Sequence, residues 1–129
     1  MERVTGIGGV LFKAADPKAM REWYRQNLGI AAEEWGAVFE WRENDDPSKV
    51  GQTAWNPMKA DSTYFDPTTA PFMLNYRVRD LDAMLAQLRA AGAWVDEKVS
   101  DSEFGKFGWA RDPEGRRFEL WQPPANEAE

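Results

Sequence analysis

The mostly apolar run from Ile7 to Lys13, bounded by glycines before it and by the pair Asp16-Pro17 after it, predicts a first strand. A helical period follows. Met20, Trp23, Tyr24 and Leu28 fall at i, i+3, i+4 and i+8, one stripe of a helix that packs on a core. Asp16 caps that helix, Pro17 takes its first position, and Gly29 ends it. The same order recurs later. Phe72 to Val78 reads as a strand, Asp80 as a cap, and Leu81, Met84, Leu85 and Leu88 as one helical face that Gly92 stops. Shorter strands are predicted at Ala37–Arg42 and Gln52–Asn56, and again at Trp94–Val99, Phe107–Arg111 and Arg117–Gln122. Asp112-Pro113-Glu114-Gly115 carries type I turn chemistry and makes the last two a hairpin.

The two halves are copies. Asp16 and Asp80, Ala19 and Ala83, Met20 and Met84, and Arg25 and Arg89 are identical pairs, each 64 residues apart. Phe12 and Lys13 meet Tyr76 and Arg77 at the same offset, so strands agree as well as helices. A second likeness, Trp55 and Pro57 with Trp121 and Pro123, has an offset of 66. The chain therefore reads as one α+β domain over 1–129: module one at about 4–57, a connector at 58–71 and module two at about 72–123. The connector, with Tyr64 and Phe65, has the length to fold over a ligand.

Composition narrows the function. Seven Trp and seven Phe in 129 residues offer too much apolar surface for a disordered chain. Sixteen basic against 22 acidic residues give a net charge of −6, which excludes a nucleic-acid or anionic-membrane binder. The absence of Cys removes disulfides, thiolate nucleophiles and thiolate metal sites; the absence of His removes the usual general base and the commonest transition-metal ligand. Any metal would rest on oxygen ligands. The acidic stretch from Glu40 to Asp46 lacks calcium-loop spacing and reads as a solvated loop. No apolar run approaches the ~20 residues of a membrane span, the first residues show no signal-peptide pattern, and a cytoplasmic location is expected.

The motifs Asp112-Pro113-Glu114-Gly115-Arg116-Arg117-Phe118-Glu119-Leu120-Trp121 and Tyr76-Arg77-Val78-Arg79-Asp80-Leu81-Asp82-Ala83, in paired modules over about 4–123, resemble the glyoxalase/bleomycin-resistance/dioxygenase group, the vicinal oxygen chelate superfamily. The resemblance implies two βαβββ modules, eight strands in curved mixed sheets around a cleft, with two main helices outside. It also implies a divalent metal in the enzymatic members, held by the first and last strands of each module. Those positions fall on Gly9, Thr53, Met73 and Glu119, of which only Glu119 is a good ligand for a hard cation. No metal or other cofactor is therefore expected.

Strand alternation turns Leu74, Tyr76, Val78, Phe118 and Leu120 toward the helices. It turns Gly9, Leu11 and Lys13, Thr53 and Trp55, Met73, Asn75 and Arg77, and Glu119 and Trp121 toward the cleft, with Trp109 and Arg111 on a face that joins them. The candidate ligand-binding residues are Thr53, Trp55, Tyr64, Met73, Asn75, Arg77, Trp109 and Trp121; Trp23 and Trp94 are assigned to packing. Glu119 is either a base or ligand anchor in an aromatic cleft, or a carboxylate satisfied by Arg77, Arg111 or Arg117. The expected function is metal-independent binding of a small apolar or aromatic molecule. The alternative is a lyase, isomerase or dioxygenase of the superfamily, using a metal or Glu119 as base. Two sheet edges invite pairing into a homodimer.

Overall fold

The computed structural model describes residues 1–125. Seven strands form one mixed sheet: β1 (Val4–Ala14), β2 (Ala37–Arg42), β3 (Val50–Lys59), β4 (Phe72–Val78), β5 (Ser100–Ser102), β6 (Gly105–Arg111) and β7 (Arg117–Gln122), in the order β2-β3-β1-β4-β7-β6-β5. Helix α1 (Pro17–Leu28) packs on β1 and β3, and α2 (Leu81–Ala90) on β6 and β7. Each module is thus a strand, a helix and a return to the sheet. The two join where β1 runs antiparallel to β4, and each last long strand lies parallel to its module's first.

The twin caps form as the composition dictates. Asp16 accepts from the Ala19 N–H and Asp80 from the Ala83 N–H, each worth about 1 kcal/mol of helix stability. Gly29 ends α1 at φ 70, a left-handed conformation that costs a side-chain-bearing residue energy. The β1–β4 register is symmetric about Val10 and Leu74: Gly9 faces Asn75 and Leu11 faces Met73, which is the 64-residue offset written in hydrogen bonds.

On the helix side, Val78, Leu81, Met84, Leu85 and Leu120 form the main core, with Tyr76, Leu88, Val95 and Phe118 packed against it. Each fully buried Leu contributes roughly 1.5–3 kcal/mol. Phe65, Met73 and Trp109 form a second core on the opposite face, where Phe65, 0% exposed, pins the connector over the sheet.

Some expectations fail locally. Seven strands stand where eight were expected, and module one keeps only an isolated bridge between Glu33 and Gly36 before β2. The strand expected at Trp94–Val99 is reduced to a bridge from Val95 to Ala110, with β5 forming beyond it. The apolar stripe of α1 buries no residue. Tyr24 packs on Phe12 and Trp55, but Trp23 is 54% and Leu28 61% exposed. Trp94, also assigned to packing, lies outside at 43% exposure with the Arg111 guanidinium over its ring. None of the described helices is long and apolar enough to cross a membrane.

Candidate functional site

Glu119 lies on β7 between Leu120, which feeds the helix-side core, and Phe118 on that same side, so its carboxylate is driven to the opposite face. It is 3% exposed and takes three side-chain donors. Asn75 Nδ2, from the adjacent β4, donates to Oε1 at 2.6 Å. Trp109 Nε1, directly across on β6, donates to Oε2 at 3.1 Å. The Tyr64 hydroxyl, delivered by the connector, donates to the same Oε2. Oε1, with one donor, keeps a lone pair to offer.

Burial pushes the Glu119 carboxyl above its ordinary value, against the lowering pull of the Tyr64, Asn75 and Trp109 bonds and the Arg117 charge. Burial, then the Glu119 charge and bond, also push the Tyr64 phenol upward, so it stays protonated and stays a donor. Asn75 must turn its amide hydrogens to the carboxylate. Its Oδ1 is consequently buried with no partner among the described residues. That oxygen rests against Gly8, where an added Cβ would sit 2.1 Å away. Glycine is required there because the amide and the Trp121 ring fill the space.

A cavity of about 400 Å³ opens beside this carboxylate, and both modules line it. Gly8, Gly9 and Leu11 come from β1, and Ala54, Asn56 and Met58 from β3. Facing them are Tyr64, Asn75 and Glu119, with an aromatic wall of Phe104, Phe107 and Trp121. Phe107 and Trp121 are cross-strand partners stacked 5.9 Å apart at 6°. A larger depression of about 950 Å³ runs along the start of α1 and the end of β3. Its charged residues are exposed or half-buried, so it has no desolvated chemistry to compare with Glu119.

The structure gathers Tyr64, Asn75, Trp109, Trp121 and Glu119 and disperses the other candidates. Trp55 is on the helix side, 5.3 Å from Phe12 and 5.0 Å from Tyr24, so it does not mirror Trp121 across the cleft. Thr53 is spent between the Trp41 indole, which donates to it at 2.7 Å, and the Ile7 carbonyl. Met73 lies behind Trp109 in the apolar cluster. Arg77 is 5% exposed, over the rings of Trp41 and Trp121 at 5.5 and 5.1 Å. Arg111 is turned away onto Trp94.

Pairing register explains the displacement. Leu11 pairs with Asn56 as Asn75 pairs with Glu119, so the counterpart of Glu119 in module one is Asn56, not Thr53. The Trp-Pro likeness misaligns β3 by three residues, and an odd shift exchanges the faces of a strand. Phe107 was within reach of the sequence, sharing the face of Trp109 by alternation. Phe104, in the turn before β6, follows no period and left no signal.

These residues do not fit a divalent metal. With Asn56 in place of Thr53, the quartet is Gly9, Asn56, Met73 and Glu119. Gly9 has no side chain, Met73 is a soft ligand inside a hydrophobic cluster, and Glu119 alone, with only Oε1 open, is one hard ligand where a divalent ion needs several. Among the described residues no three His, Cys, Asp or Glu side chains come together as a metal-holding group.

The family profile of the Glyoxalase-like domain matches residues 9–121. No curated protein matches the sequence. Among solved structures, methylmalonyl-CoA epimerase from Mycobacterium tuberculosis is similar at TM-score 0.63 and 24% identity, over 94% of this chain and 89% of that one. A methylmalonyl-CoA epimerase in complex with methylmalonyl-CoA and NH4+ is similar at TM-score 0.71 and 20% identity, over 98% and 100%. The Streptomyces coelicolor epimerase (E43L) in complex with 2-nitronate-propionyl-CoA reaches 0.70 at 20%, over 98% and 100%. At these identities the likeness is one of fold.

Proposed function

Because this chain belongs to the Glyoxalase-like domain family, within the vicinal oxygen chelate superfamily, and because its cleft suits no divalent ion, we propose that it binds a small, largely apolar or aromatic molecule beside Glu119 without a metal. The observation that carries the reading is the buried Glu119 carboxylate facing a cavity walled by stacked Phe107 and Trp121. A ring against that wall gains about 0.5–1.5 kcal/mol beyond its area burial. A polar hydrogen on the ligand meets the open lone pair of Oε1, which must be satisfied once water leaves. The test is a fluorescence screen of aromatic compounds against wild type and Trp121→Ala, in buffer with and without EDTA. Binding in EDTA that weakens at least several-fold in Trp121→Ala supports the reading. Binding that needs added divalent metal, or is indifferent to Trp121, sinks it.

A second reading has its own support. The raised pKa of Glu119 and its open Oε1 suit a general base that takes a proton from an acidic C–H or O–H of the ligand, with Tyr64 and Trp109 holding Oε2 in place. Ligand C–H exchange with solvent deuterium, catalysed by wild type and abolished in Glu119→Gln, would establish catalysis. Binding without exchange leaves the protein a binder.

A further inference from the structure

On the other side of Tyr64 lies a second cavity of about 670 Å³, which shares Tyr64, Phe104 and Phe107 with the first. Two cations converge there on one indole: the Arg117 guanidinium at 5.5 Å and the Lys98 ammonium at 5.7 Å from the Trp109 ring. The Arg117 side chain is 7% exposed and gives Nη1 to Asp96 at 3.3 Å. Its buried Nε–H has no partner among the described residues, so the guanidinium is not saturated. The Lys98 ammonium likewise makes no ion pair or hydrogen bond among them.

The acidic groups nearby do not compete equally. Asp96 has already accepted the Lys98 N–H with one oxygen and Arg117 with the other. Asp66 stands exposed at the rim. What remains is the exposed Lys98 ammonium, with no bonded carboxylate among the described residues, lining a polar pocket that adjoins an apolar one. Asp96 offsets Arg117, and Asp66 and the nearby Glu119 add negative charge, so the one cation left without a bonded carboxylate, Lys98, suits a monoanion and not a dianion such as phosphate.

We propose that this outer pocket seats a carboxylate carried by the ligand. The ligand class is then an amphipathic carboxylic acid, its ring or alkyl body beside Glu119 and its carboxylate against Lys98. This rests on the reading that the inner cavity holds the ligand's body.

The experiment compares 3-phenylpropanoate, its amide and 3-phenylpropylamine by calorimetry, against wild type, Lys98→Gln and Trp121→Ala at low ionic strength. Lys98 is exposed, so its replacement leaves folding intact. The acid should bind about five-fold tighter than the amide, and the amine weakest, as befits a partly exposed pair. That preference should shrink in about 0.5 M salt and vanish in Lys98→Gln. Equal affinity for acid and amide, or a preference that survives Lys98→Gln, overturns the carboxylate seat alone. If none of the three binds, or binding ignores Trp121→Ala, the inner-cavity reading falls and the seat falls with it.

Discussion

Replacing Tyr64 by Phe removes one hydroxyl from the connector and one donor from Glu119. The ring stays, so its edge contact with Phe65 is kept. A hydrogen bond to a charged acceptor is worth about 1.5–3 kcal/mol. Tyr64 is 42% exposed and water can replace part of the bond, so the loss with Glu119 ionised should be nearer 1–2 kcal/mol. The pH dependence is more diagnostic. The folded-state pKa of Glu119 lies above its unfolded value, so its contribution is fully present below the ordinary carboxylate pKa and is lost as pH rises through the folded value. Without the Tyr64 donor that folded value climbs further and the loss grows. Below the ordinary carboxylate pKa the bond is a neutral one worth about 0.5–1.5 kcal/mol, so the deficit of Tyr64→Phe should widen by roughly 1 kcal/mol between acid conditions and those in which Glu119 is ionised. The phenol cannot cause this, because it remains protonated throughout. Urea denaturation at a series of pH values reads the deficit, and the 13C shift of the Glu119 carboxyl reads its titration. A constant deficit, or a carboxyl that titrates lower in Tyr64→Phe, would mean that Tyr64 does not stabilise the Glu119 carboxylate.

Three other perturbations should behave as follows. Glu119→Gln has no charge to desolvate, so wild-type stability should fall relative to it as pH rises above about 5; parallel urea profiles would contradict the buried-carboxylate assignment. Gly8→Ala would put a Cβ 2.1 Å from Asn75 Oδ1, so it should cost about 1–3 kcal/mol in denaturation and displace the Asn75 amide, read from its side-chain NMR signals. Leu120→Ala, at a site 1% exposed under α2, should lose about 2–5 kcal/mol in the same assay.

The parts of this fold that depend on local chemistry were legible. Asp16 and Asp80 cap, Gly29 terminates, and Gly115 closes the Asp112 turn, because each needs only its neighbours in sequence. Alternation within β4, β6 and β7 also puts Met73 and Asn75, Trp109, and Glu119 on one face. What depends on pairing was not legible. Trp55 and Trp121 have like surroundings in sequence, yet β3 meets β1 in a register that sends Trp55 under α1. The cavity's first-module wall of Ala54, Asn56 and Met58 was missed for the same reason. The segment at Trp94–Val99 pairs with β6 only through the Val95–Ala110 bridge and the bonds from Arg111 to Trp94 and from Asp96 to Trp109, a shortness of pairing that no period announces.

Ligand entry beside Glu119 without a metal should register on the indole N–H resonances of the seven Trp residues. Of these, Trp109 donates to Glu119 and Trp121, donating to the Phe104 carbonyl at 2.8 Å, forms the cavity wall, while Trp23 and Trp55 sit on the helix side. In a 15N–1H titration with 3-phenylpropanoate in the presence of EDTA, the Trp109 and Trp121 signals should shift saturably while those of Trp23 and Trp55 stay unmoved. Shifts confined to Trp23 and Trp55, or shifts of Trp109 and Trp121 that arise only when a divalent metal replaces the EDTA, would contradict metal-free entry there.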